Sequence, residues 1–231
     1  CTDNTDMYCE HAATPWLASL GHQFHQHKVC AEAAKYGFYS SREPYLKKAY
    51  EANKTFLDGD CKNLPLLPEL AKLLPNSKFI HLVRQPDNFI RSGLARGYYK
   101  HLPAELWGHL EPLSSPTDPV DLSQTEKIAF FWNEANEIAE KMKQELGTDR
   151  VATLVSEQIF EQPSLIFDAL DQLSISYNKI KHTHYSIEHL NKQSIKLRHQ
   201  DGNSDMLATI GQHCPTRLLY YPKANVENHS K

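Results

Sequence analysis

The sequence predicts an α/β fold built on a parallel sheet, and two observations carry that expectation. A short apolar run, Phe79, Ile80, Leu82 and Val83, stops at Arg84 and passes into an amphipathic stretch, as an inner strand followed by a helix would. The same order recurs twice: Thr55–Asp60 and Val151–Val155 read as short strands, each followed by a helical pattern. With 231 residues, 40% of them hydrophobic, the chain is long enough for one sizeable core, and residues 1–231 read as a single domain.

Composition excludes several functions. A net charge of −3 argues against a general nucleic-acid binder, which is normally strongly basic. No apolar run approaches the roughly 18 residues needed to cross a bilayer. Five scattered cysteines form neither a disulfide framework nor a CxxC pair, which fits reduced thiols and a cytoplasmic location.

Taken in order, Cys1–Tyr8 is polar and turn-like, and Cys9-Glu10-His11 sets a carboxylate beside a histidine. His22, His25, His27 and Cys30 form the strongest metal-like cluster. Their spacing fits neither HExxH nor paired CxxC, and no acidic ligand lies among them, so they read as a surface histidine run. Ala31–Asn53 is helical in pattern, with a break expected near Pro44. Lys62 and Asn63 follow the strand at Thr55–Asp60, and Leu64–Leu74 carries the leucines of a short helix.

After the strand at Phe79–Val83, Pro86 suits a first helical position and Asp87 suits the positive end of a helix. Arg84 and Ser92 then stand near a strand's carboxyl end and a helix N-terminus, where anions are favoured. Tyr98–Asp121 is proline-rich and aromatic, as a functional loop would be. Ser123–Leu146 repeats apolar residues at helical spacing and Gly147 stands at its expected cap. Leu165–Leu173 is a further amphipathic helix, and Met206–Tyr221 reads as the final helix and its exit.

The stretch Lys78–Gly97, KFIHLVRQPDNFIRSGLARG, resembles the 3′-phosphate-binding segment of sulfotransferases, where a strand ends in arginine and a serine follows eight residues later. Here that pair is Arg84 and Ser92. The strand–Lys–helix–strand–Arg succession is similar to the same family, in which a lysine at the first corner approaches the sulfate; Lys62 holds that place. The chain departs from the family in reading Lys-Asn-Leu-Pro, which leaves no histidine two places on. Val151–Phe160 resembles the family's strand and Tyr-Glu-Asp-Leu, with Ser156 in place of the tyrosine. The resemblance further offers Glu10 as the acceptor's base and Lys192, in Asn191-Lys192-Gln193-Ser194, as a late contributor to the 3′-phosphate site.

What the resemblance implies is a three-layer αβα fold with a parallel sheet, like that of P-loop nucleotide kinases. It also implies metal-free transfer of a sulfuryl group from 3′-phosphoadenosine 5′-phosphosulfate to the hydroxyl of a small-molecule or carbohydrate acceptor; the aromatic and charged residues of Tyr98–Asp121 read as an acceptor-binding lid. The family's glycine-rich phosphate-cradling turn has no counterpart here, since the first glycine is Gly21. An N-terminally truncated chain is therefore expected. A nucleotide kinase-like enzyme is the alternative enzyme reading. A His-rich metal-binding protein, or a non-catalytic binding protein, stands outside both.

Overall fold

In the computed structural model, residues 7–10, 15–100, 109–112, 115, 117–176 and 204–221 are described, residues 7–10, 15, 61 and 204 by backbone alone. The strands are β1 (Met7–Glu10), β2 (Thr55–Asp58), β3 (Phe79–Val83) and β4 (Val151–Val155). Helices α1 (Pro15–His25) and α2 (Ala31–Glu51) separate β1 from β2. A 3₁₀ turn (Cys61–Leu66) and α3 (Leu67–Leu73) lead to β3, and α4 (Pro86–Ala95) and α5 (Gln124–Leu146) lead to β4. Then come α6 (Ser156–Glu161), α7 (Leu165–Gln172), α8 (Ser204–His213) and α9 (Arg217–Tyr220).

Every strand pairing among the described residues is parallel. β1 lies beside β2, with Glu10 opposite Asp58, and β3 lies beside β4, with Val83 opposite Val155. The β3–β4 pair is the middle layer of an α/β/α stack. On one face Val83 packs with Ile128, Ala129 and Trp132 of α5 and with Ile210 and Cys214. On the other, Ala152 and Leu154 pack with Ala169 and Leu173. This is the layering that alternate strand residues impose when both faces meet helices. A third cluster joins Leu17 of α1, Ala34 and Phe38 of α2, and Leu66 and Leu70.

Local chemistry accounts for the helix ends. Ser123 Oγ accepts from the Glu126 N–H at 3.2 Å and Glu126 Oε2 accepts from the Ser123 N–H at 2.8 Å, a complete capping box for α5. Gly147 closes that helix at φ 82°, where a side chain would be strained. At the end of α4, Gly97 takes φ 71°, and the Tyr98 and Gly97 N–H groups return to the Gly93 and Leu94 carbonyls.

Several sequence expectations are corrected. Met7–Glu10 is a strand rather than part of a turn-like segment, because β2 offers it a ladder. α2 runs unbroken through Pro44: buried Phe38, Arg42 and Ala49 anchor both sides of the one hydrogen bond that proline removes. β3 is only partly an inner strand, since Ile80 and Leu82 are 39% and 61% exposed. α7 covers their face on the β4 side. The last helix is two, α8 and α9, interrupted near Pro215.

Candidate functional site

Of the residues singled out from the sequence, Glu10, Lys62 and Arg84 stand at two corners at strand carboxyl ends, and Ser92 lies on the helix that follows the second. At the first, Lys62 sits half-buried on the 3₁₀ turn that follows β2. The register of the β1–β2 pair brings Glu10 to the same end, beside Asp58. The turn is held by acidic side chains: Asp60 Oδ1 accepts the Lys62 N–H at 3.1 Å and Asp58 Oδ1 accepts the Asp60 N–H at 3.0 Å. Asn63 Nδ2 donates to Asp58 Oδ2 at 2.8 Å. Arg42 reaches in from α2, its Nε 2.7 Å from Asp58 Oδ2 and its Nη2 3.0 Å from Asp60 Oδ2. Helix α1 presses on this corner through Gly21, where an added Cβ would lie 3.2 Å from the Lys62 carbonyl oxygen.

At the second corner, Arg84 follows β3 and Ser92 lies on α4, buried. The backbone here is pinned from three directions. Trp132 Nε1 donates to the Arg84 carbonyl at 2.8 Å, and Ser156 Oγ donates to the Val83 carbonyl at 2.9 Å. Glu157 Oε1 accepts the Gln85 N–H at 3.1 Å, while Tyr221 Oη donates to Glu157 Oε2 at 2.7 Å. The serine that replaces the family's tyrosine thus ties β4 to β3. Burial first, and then the bond to Glu157, pushes the Tyr221 phenol well above its ordinary range, with the nearby Arg84 charge opposing.

The Glu157 carboxylate stands at the start of α4, where it accepts the Gln85 N–H. Among the described residues the Lys62 ammonium, the Arg84 guanidinium and the Ser92 hydroxyl have no hydrogen bond or ion pair within the protein. Their neighbours Arg42, Asp58, Asp60 and Glu157 are all committed.

Helix α5 packs against both Arg84 and α1. Trp132 meets Arg84, and two residues on, buried Glu134 faces α1, with its Oε2 3.5 Å from His25 Nε2. The histidine run is not a simple surface feature, because α1 packs against the 109–112 segment and α5. His22 Nδ1–H donates to the His109 carbonyl at 3.3 Å and its Nε2 accepts from the Gln26 amide at 3.0 Å. His25 Nε2 also reaches the Glu111 carbonyl at 3.2 Å. Burial lowers the His25 pKa, but Glu134 and the Glu111 carbonyl outweigh it, leaving it above the ordinary histidine value. The ring of His109 lies among Tyr98, Tyr99 and Phe131, and burial drops its pKa to about 4. Among the described residues no three His, Cys, Asp or Glu side chains gather to hold a metal ion.

The structure leaves some expectations aside. The Glu10 side chain, Lys192 and the Asn191–Ser194 segment lie outside the described residues, as do 101–108 of the proposed lid. Arg42, Asp58, Asp60 and Trp132 were not singled out as site residues from the sequence. The Asp-Gly-Asp before Cys61 read only as a turn, and nothing marks Arg42 among the polar residues of α2.

No helix among the described residues is long and apolar enough to cross a membrane. The model of the sulfotransferase family matches residues 4–178. Among solved structures, the sulfotransferase domain from the curacin biosynthetic pathway matches with a TM-score of 0.46 and 14% identity, covering 84% of this chain and 77% of that one. No curated protein matches the chain. Because the family model spans both strand pairs and both corners, this chain belongs to the sulfotransferase family.

Proposed function

We propose that this protein transfers a sulfuryl group from 3′-phosphoadenosine 5′-phosphosulfate to a hydroxyl of a small-molecule or carbohydrate acceptor, without a metal. The supporting observation is that, among the described residues, Lys62 and Arg84 at two pinned strand ends and Ser92 on α4 keep their functional atoms uncommitted. Arg84 offers a planar fork for the 3′-phosphate, Ser92 a hydroxyl beside it, and Lys192 a further cation from later in the chain. Lys62 stabilises the charge that builds on the oxygen bridging sulfur and phosphorus as that bond breaks. Glu10 takes the acceptor's proton as its oxygen bonds to sulfur, and 3′-phosphoadenosine 5′-phosphate leaves. Sulfuryl transfer, like phosphoryl transfer, asks the protein mainly for positioning and charge stabilisation.

We read the chain as one domain, supported by the bonds from α1 to residues 109–111 and from Arg150 to the Ala71 and Leu74 carbonyls. The cysteines Cys30 and Cys214, free among the described residues, fit a cytoplasmic setting. Titration calorimetry with 3′-phosphoadenosine 5′-phosphate tests the site. Arg84→Ala weakens binding about 30-fold, the loss of about 2 kcal/mol of charge-assisted hydrogen bonding, and Arg84→Lys by less. Unchanged affinity in Arg84→Ala removes Arg84 from the site.

A further inference from the structure

Arg42 is 1% exposed, an unusual burial for an arginine, and its charge must be met by partners in place. It meets two carboxylates at once, and each has a second task. Asp60 gives Oδ2 to Arg42 and Oδ1 to the Lys62 N–H. Asp58 gives Oδ2 to Arg42 and to the Asn63 side chain, and Oδ1 to the Asp60 N–H. The Asn63 N–H closes the turn on the Asp60 carbonyl at 3.2 Å. The guanidinium, both aspartates and the backbone of 60–63 are therefore one hydrogen-bonded unit. Helix α1 blocks its other side at Gly21.

We infer that Arg42 is a positioning residue for Lys62: through Asp58 and Asp60 it fixes the turn that presents the lysine. The inference rests on the proposed role of Lys62 toward the sulfate. A fork that spans two carboxylates has no equivalent in a lysine, whose ammonium is a single point. Arg42→Lys thus keeps the charge and loosens the turn.

Amide hydrogen exchange on the ligand-free protein reads the turn directly. In Arg42→Lys the Lys62 and Asn63 amides exchange about tenfold faster, while those of β3, β4 and α5 are unchanged. Sulfate release from 3′-phosphoadenosine 5′-phosphosulfate, with water as acceptor, falls about tenfold in kcat with KM held within about twofold. In a Lys62→Ala background the same substitution alters kcat by less than about twofold, since the group it positions is gone. Unchanged exchange at Lys62 overturns the inference, and so does a full tenfold loss that persists without Lys62. Should Arg42→Lys not fold, Asp60→Asn carries the exchange measurement, because it keeps an oxygen for the Lys62 N–H and drops the charge that Arg42 holds. If the unaltered protein releases no sulfate, exchange at the Lys62 and Asn63 amides alone decides for or against Arg42, and the sulfotransferase reading of the site is judged separately, by calorimetric binding of 3′-phosphoadenosine 5′-phosphate.

Discussion

The corner at Lys62 and the corner at Arg84 occupy equivalent places, each at the carboxyl end of a parallel strand pair, yet they are built from different forces. Around Lys62 the turn hangs on a buried ionic unit, with Arg42 between Asp58 and Asp60. Around Arg84 the strand end is held largely by side chains bonded to backbone, Trp132 to the Arg84 carbonyl and Ser156 to the Val83 carbonyl. The first arrangement is all-or-none, because losing one partner strands a charge away from water. The second is distributed, and each bond is worth about 1 kcal/mol on its own. Among the described residues, both leave the cation they present, Lys62 or Arg84, without a partner, by different means.

That difference is open to test. The largest expected effect is at the ionic corner: Asp58→Ala costs about 3–5 kcal/mol in a urea denaturation experiment, because Arg42 stays buried with one carboxylate fewer. A cost near 1 kcal/mol would mean that the two corners are held alike.

Next in size is acid sensitivity where α1 meets the 109–112 segment. The folded pKa of His109 is about 4, below its unfolded value near 6.5, so its neutral form is favoured in the fold. Stability from this group is present above pH 6.5 and is lost as pH falls toward 4, by about 3 kcal/mol over that window. His25 has the opposite sign. Its folded pKa is raised, so its contribution is full below the unfolded value and disappears as pH rises through the folded one. Thermal melts of the parent and His25→Gln between pH 4 and pH 9, values set by roughly the histidine range, show the two trends. A parent whose melting point does not fall in acid rejects the assignment for His109.

The smallest effect belongs to the distributed corner. Ser156→Ala removes one bond to the Val83 carbonyl and lowers stability by about 1 kcal/mol by the same denaturation measurement. A loss as large as that of Asp58→Ala would make Ser156 as indispensable to its corner as the ionic unit is to the other.

How much of this was legible in the sequence varies with the range of the interaction. β3, α4 and the Arg84–Ser92 spacing follow from a short apolar run, Pro86 and helical periodicity, all within twenty residues. The capping box at Ser123 and the glycine cap at Gly147 are as local. Pro44 misled, because its local cost is outweighed by contacts of α2 with residues far along the chain. His22 and His25 misled for a similar reason: their partners His109, Glu111 and Glu134 are 86 or more residues away. Arg42 was silent, being one charged residue in a polar helix until β2 brings Asp58 and Asp60 to it.

Returning to Lys62, Arg84 and Ser92, the sequence by itself determined the α/β class, the parallel sheet, the positions of Lys62 and Arg84 at strand ends and that of Ser92 on the following helix. These depend on periodicity, proline and glycine, whose effects act within a few residues. Only the tertiary structure decided how each corner is secured, that Glu157 meets the Gln85 N–H at the start of α4, and that α5 packs against both Arg84 and α1. Those outcomes depend on charges and carbonyls distant in sequence meeting out of water, where an unmatched group is costly and the partners that satisfy it set the geometry.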